Sequence, residues 1–165
     1  MKKRLLVALV IAIAFSLSTT GLVMAGDGPL PPAEGQAVYD YITKTNPYQN
    51  WPLYPGKDKF YTGRHPHGAL LTSYVNEITL NGINNKVGTL ANGAIIVKEN
   101  YMPDKTLGAV TVMYRAKGYD PDAGDWFWAK YKPDGSIEKA GKVAGCIGCH
   151  TTAINNDWIF TGPVK

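Results

Sequence analysis

Cys146-Ile147-Gly148-Cys149-His150, close to the end of a 165-residue chain, constrains this sequence more than any other stretch. Cys-x-x-Cys-His is the attachment signature of a c-type haem. Each thiol adds to one vinyl group of the porphyrin, and the two-residue spacer lets both reach it. The histidine follows at once, which puts its imidazole under the iron as proximal ligand. The expected cofactor is one haem c, covalent through Cys146 and Cys149, with His150 on the metal. Other uses of the residues remain open at this point. Structural zinc takes four ligands; the motif offers three, and His65 and His67 lie about eighty residues upstream. A thioredoxin-like redox pair sits early in a βαβ unit, whereas only fifteen residues follow His150. A disulfide between the two cysteines would close a very short loop and constrain the unfolded chain little.

Residues 1–25 read as a secretory signal. Lys2, Lys3 and Arg4 form a positive start, Leu5 to Leu17 an apolar run of thirteen residues, and Val23 and Ala25 the small residues of a cleavage site. The run is shorter than the ~20 residues that span a bilayer. Export fits the motif, since c-type haem is attached outside the bacterial cytoplasm. The expected location is periplasmic, with no membrane attachment after cleavage. Residues 26–165 then form a single domain. Without Lys2, Lys3 and Arg4 the charge balance falls from 17 basic against 13 acidic residues to 14 against 13. No basic patch points to nucleic acid or anionic lipid.

The pattern downstream is mostly that of strands. Residues 26–34, with Pro29, Pro31 and Pro32, read as a loose leader. Gly35 to Lys44 places Ala37, Val38, Tyr41 and Ile42 at helical spacing, ended before Pro47. Asn46 to Gly68 is rich in Pro, Gly and aromatics, which either seal the core or wall a haem pocket. Leu70 to Leu80 reads as strand of ambiguous register. Gly93 to Tyr101 holds Ile95-Ile96-Val97 after the turn at Asn92-Gly93. Leu107 to Lys117 puts Val110, Val112 and Tyr114 on one face and Thr111, Met113 and Arg115 on the other. Trp126 to Tyr131 is a further strand between turns at Asp120–Gly124 and Pro133–Gly135. Short turns between such strands predict a mainly β (α+β) fold: an antiparallel sheet with a few short helices and C-terminal haem attachment. Small electron-transfer cytochromes carry the motif near the N-terminus with a downstream Met ligand, and no Met follows His150. Four-helix cytochromes need four long helical repeats, which this chain lacks.

Taken together, His65-Pro66-His67-Gly68-Ala69-Leu70-Leu71, Gly93 to Tyr101, Asp125-Trp126-Phe127-Trp128 and Gly145 to His150 resemble the cytochrome P-460 family and its relative, cytochrome c′-beta. The resemblance implies a homodimer and a five-coordinate iron with an open or weakly occupied distal side. P-460 members bond a lysine to the porphyrin and oxidise hydroxylamine. The c′-beta members lack that bond and bind nitric oxide or carbon monoxide. Lys98 stands where the crosslinking lysine is expected; from the residues alone it reads as a strand-end charge released to water.

Hydroxylamine-oxidising members use a distal carboxylate, and Val110 to Arg115 contains no acid. Glu99 points away from Lys98 in a regular strand. His65 or His67 is the candidate base, Arg64 the group to polarise a nitrogen–oxygen bond, and Phe60 a steric cap. Each has a plainer reading: loop histidines as surface or capping residues, Phe60 as core. The expected function is hydroxylamine (or nitric oxide) oxidation, with a periplasmic acceptor such as another c-type cytochrome. The alternatives are a gas-binding protein without turnover, or an electron-transfer cytochrome with Met102 or Met113 as a second ligand.

Overall fold

A computed structural model describes residues 29–165 of the chain; the segment read as a signal, 1–25, lies outside them. The centre is a six-stranded antiparallel sheet in the order β1-β2-β3-β4-β5-β6, each strand pairing with its sequence neighbour. The strands are β1 (Tyr61–Thr62), β2 (Leu70–Val75), β3 (Ile95–Tyr101), β4 (Leu107–Arg115), β5 (Trp126–Tyr131) and β6 (Ile137–Gly141). Short helices α1 (Gly35–Asp40), α2 (Glu77–Asn84) and α3 (Ala144–His150) complete the framework.

The alternation in β3, β4 and β5 divides the sheet into two faces. Ile95, Val97, Val110, Val112, Tyr114, Phe127, Ala129 and Tyr131 are buried on one face. Val38, Tyr41 and Ile42, from α1 and the wide turn that follows it, pack there with Tyr48 and Trp51. Val38 and Ile42 are fully buried, each contributing about 1.5–3 kcal/mol by removal from water. The helix expected over Gly35 to Lys44 is thus present, but it narrows to α1 and continues as a π turn over Tyr41–Thr45.

Leu70 to Leu80 is not one strand. The strand ends at Val75, and Asn76 starts α2. The Asn76 side chain accepts from the Thr79 amide and hydroxyl and from the Ile95 amide, and donates to the Gly93 carbonyl. One buried amide therefore caps a helix and ties it to the start of β3.

The second face is covered at one end only. Trp126, Trp128, Val75 and Ile96 pack there beneath Trp158, Ile159 and Val164 from the C-terminal segment. Towards the β3–β4 hairpin the cover is incomplete, and the exposed floor becomes the wall of a crevice.

Candidate haem crevice

Antiparallel pairing sets directly opposite residues on the same face, so the crevice wall is built of cross-strand rows. One row runs Ser73, Lys98, Thr111, Lys130, Lys139, and a second Val75, Ile96, Met113, Trp128, Gly141. A third joins Leu71, Asn100 and Ala109. Lys98 therefore points into the crevice. Glu99, one residue on, lies on the opposite face and accepts from the Tyr48 and Tyr101 hydroxyls. The sequence expectation about these two residues agrees with their placement.

Opposite the sheet stands α3. Cys146, Cys149 and His150 fall at i, i+3 and i+4 of this helix and so share one side of it. All three line a cavity of about 510 Å³. A second lobe of about 530 Å³ opens past Lys57, Tyr61, Arg64 and His65. The lobes share Pro66, His67, Lys98, Cys149, His150, Phe160 and Thr161.

His150 is buried, and its ring is packed by Trp128 at 4.7 Å and Phe160 at 5.1 Å between centroids. Its Nδ1 donates to the Trp158 carbonyl at 2.6 Å. That bond fixes the tautomer: Nε2 carries the lone pair and is left for a metal. The carbonyl is aimed by an unusual backbone. Asp157 and Trp158 both take left-handed conformations, φ 56° and 67°, which cost L-residues roughly 1–3 kcal/mol each. They are held because Asp157 pairs with Arg115 and accepts from the Leu90 amide, while the Trp126 indole donates to the Asp157 carbonyl. Burial outweighs these contacts and holds the Asp157 carboxyl above the ordinary range.

The loop from Gly63 to Gly68 brings in the other imidazole. Gly68 lies against β3 so closely that a Cβ there would come within 2.5 Å of the Tyr101 carbonyl. That approach delivers the His67 Nδ1 to Asn100 Oδ1 at 2.9 Å. The Asn100 amide nitrogen donates to the carbonyls of Lys98 and Ala109 and to the Thr111 hydroxyl. Its oxygen must then be the acceptor, so His67 donates through Nδ1 and keeps a lone pair on Nε2. Burial, with nearby Lys98, lowers the His67 pKa to about 4. Burial, with Lys57, lowers that of Lys98 to about 8. Burial raises the Cys146 thiol and lowers His150.

Among the expected site residues, Cys146, Cys149, His150, Lys98 and His67 converge on the crevice. Arg64 and His65 are exposed on the rim of the second lobe. Phe60 corrects the expectation of a cap: it lines neither lobe, and its ring packs on Tyr101 at 4.8 Å beneath Lys105. The physical reason is its left-handed backbone, φ 59°, pinned by its amide to the Thr72 hydroxyl. Met113 and Met102 both line the first lobe. Sequence reasoning missed Asn100, Thr111, Trp128 and the Trp158 carbonyl; for Asn100 the signal was its place two residues after Lys98, on the same strand face.

The residues fit a haem. Two thiols one helical turn apart face the same slot as an imidazole whose Nε2 is free. Among the described residues, no carboxylate lines either lobe, while Lys98, Lys130, Lys139, Lys57 and Arg64 do. Such a positive rim suits a group bearing two carboxylates. For the zinc alternative, no group of three or more His, Cys, Asp or Glu is gathered for a metal ion among the described residues. No curated protein matches the chain. The family model for Cytochrome P460 matches residues 46–161, from the aromatic segment before β1 through Cys146–His150 to Thr161. The chain belongs to the cytochrome P460 family, a family of haem cytochromes.

Proposed function

We propose that this protein is an exported, periplasmic, mono-haem c-type cytochrome that oxidises hydroxylamine. The observation that carries the reading is the meeting of α3 with the sheet. Cys146 and Cys149 present their thiols for the two thioether bonds, His150 presents Nε2 to the iron, and Lys98 and His67 stand across the same crevice. When bound, the haem supplies a metal that draws electrons from a nitrogen ligand and passes them to an acceptor such as another c-type cytochrome.

The chain's own residues supply the rest. The Trp158 carbonyl holds the His150 ring in one tautomer and orientation. His67, oriented by Asn100, offers an Nε2 lone pair to an N–H or O–H proton of the substrate. Arg64, on the rim of the second lobe, is the residue to polarise a nitrogen–oxygen group. Lys98 is the residue for a further bond to the porphyrin edge. That coupling removes a hydrogen from each partner and uses an oxidant of the peroxide class. Residues 1–25 direct export, and the mature chain works as a homodimer.

A second reading is favoured by one observation: no carboxylate among the described residues lines the crevice. A largely apolar cavity without an acid to move protons suits nitric oxide or carbon monoxide better than a polar amine, giving a gas binder of the c′-beta type without turnover.

Two measurements separate these readings. If Lys98 is bonded to the porphyrin, the ferrous protein has a strongly red-shifted Soret band that Lys98→Leu abolishes; an ordinary spectrum unchanged by the substitution removes the crosslink. Hydroxylamine oxidation with an artificial acceptor, above the haem-only background, supports the enzyme. Ligand binding without turnover supports the gas binder.

A further inference from the structure

Two imidazoles lie close together in this crevice, and both are prepared in the same way. His150 donates through Nδ1 to the Trp158 carbonyl, and His67 donates through Nδ1 to Asn100 Oδ1. Each therefore presents Nε2 as a free lone pair. The ring centroids lie 6.4 Å apart with planes at 83°. Two imidazoles sharing one metal through bonds of about 2 Å have centroids about 6 Å apart once the ring half-widths are added. Both rings line both lobes of the crevice, so they stand where the lobes join.

We propose that His67 is a displaceable second axial ligand: in the absence of substrate its Nε2 occupies the iron position opposite His150, and small ligands enter by displacing it. The inference rests on the haem attachment proposed above and deepens it. It closes the distal side to solvent in the resting state without closing it to a stronger ligand.

The two histidines are not equally held. His150 sits on α3, buried, against the rings of Trp128 and Phe160. His67 sits on an exposed turn closed by its own amide to the Arg64 carbonyl, with Arg64, His65 and Pro66 exposed. Its side chain is held by the hydrogen bond to Asn100. The partner that yields is therefore His67. Other donors line the same lobe, among them Lys98, Lys130, Lys139, Met113 and Met102. Met102 is half exposed at the hairpin.

The test uses the matured holoprotein. Electron paramagnetic resonance and resonance Raman spectra of the ferric wild type are expected to show a six-coordinate, low-spin iron. The resonance signal should be strongly axial, as near-perpendicular imidazole planes produce. His67→Ala should turn the iron high-spin and five-coordinate, and added imidazole should restore the low-spin form. Lys98→Leu, which removes the competing amine and any bond it makes to the porphyrin, should leave the iron low-spin. Carbon monoxide binding to the ferrous wild type should saturate in rate as the gas concentration rises, because loss of His67 becomes limiting. In His67→Ala it should become linear. A histidine bound in about nine-tenths of molecules lowers apparent affinity about tenfold, so the variant should bind carbon monoxide about tenfold more tightly.

A high-spin, five-coordinate wild type overturns the proposal and leaves haem attachment standing. Low-spin iron that survives His67→Ala overturns it equally, and its loss in Lys98→Leu then assigns the ligand to the lysine. A colourless matured protein sinks both readings. If His67→Ala fails to accumulate, the wild-type spectra and carbon monoxide kinetics decide.

Discussion

His150 donates its Nδ1 proton to the Trp158 carbonyl at 2.6 Å, across seven intervening residues that double back on α3. The acceptor is a main-chain atom, so no side-chain substitution at Trp158 removes it directly. What sustains it is the set of contacts that keep Asp157 and Trp158 left-handed, chiefly Arg115 and the Leu90 amide on the Asp157 carboxylate.

Arg115→Met should therefore be costly. Arg115 is largely buried and also lies over the Trp126 ring at 4.8 Å. Removing one partner of a buried pair leaves the other charge uncompensated, at about 3–5 kcal/mol. Denaturant unfolding should show that loss. The double variant Arg115→Met, Asp157→Leu should recover part of it, because no unpaired charge remains.

Asn76→Ala removes the α2 cap and leaves the Ile95 amide and the Gly93 carbonyl without that partner. A lost cap costs about 1 kcal/mol and an unsatisfied buried group about 1–3. The expected destabilisation is about 2–4 kcal/mol. Amide exchange should accelerate in α2 and at the start of β3 together.

Lys98 gives a pH-dependent signature in the haem-free chain, prepared with Cys146 and Cys149 replaced by Ser. Burial lowers its pKa to about 8, against about 10.4 in an unfolded chain. Between those values the unfolded state holds a proton that the folded state has released, so this residue's contribution to stability rises with pH. The gain is complete above the unfolded value and is lost as pH falls through about 8. Lys98→Met should be more stable than its parent at neutral pH, and the difference should shrink through that window. A constant difference from pH 7 to 10 would show that Lys98 is well solvated.

Glu99→Gln should affect the fold and spare the chemistry. The carboxylate faces away from the crevice and accepts from the Tyr48 and Tyr101 hydroxyls. Weakening these charge-assisted bonds should cost about 1–3 kcal/mol in thermal unfolding. The Soret position and the carbon monoxide affinity of the haem should stay at wild-type values.

Strands that alternate were readable, because one face of each is buried and a slip of one residue would expose it. Val110, Val112 and Tyr114 against Thr111, Met113 and Arg115 placed β4 and its inward face correctly. β6 carries no such signal: Ile137 to Ala140 are all exposed, so nothing in their polarity marks a strand. Leu70 to Leu80 misled because Val75 and Ile78 continue an apolar pattern across Asn76, whose capping role depends on distant Gly93 and Ile95. Within the site, the motif residues and Lys98 were legible, since local spacing sets their geometry. The pairing of His67 with Asn100, and the distance of Phe60 from the crevice, come from a loop laid across β3 by tertiary contacts. The Trp158 carbonyl belongs to the backbone and leaves no trace in residue type.

The central claim is a haem bonded to Cys146 and Cys149. Mass spectrometry of the haem-matured protein under denaturing conditions tests it most directly. The account predicts the mass of the mature polypeptide plus one haem, falling to the bare polypeptide when both cysteines are replaced by Ser. A matured wild-type chain with the bare polypeptide mass, or with haem that dissociates on denaturation, would contradict it.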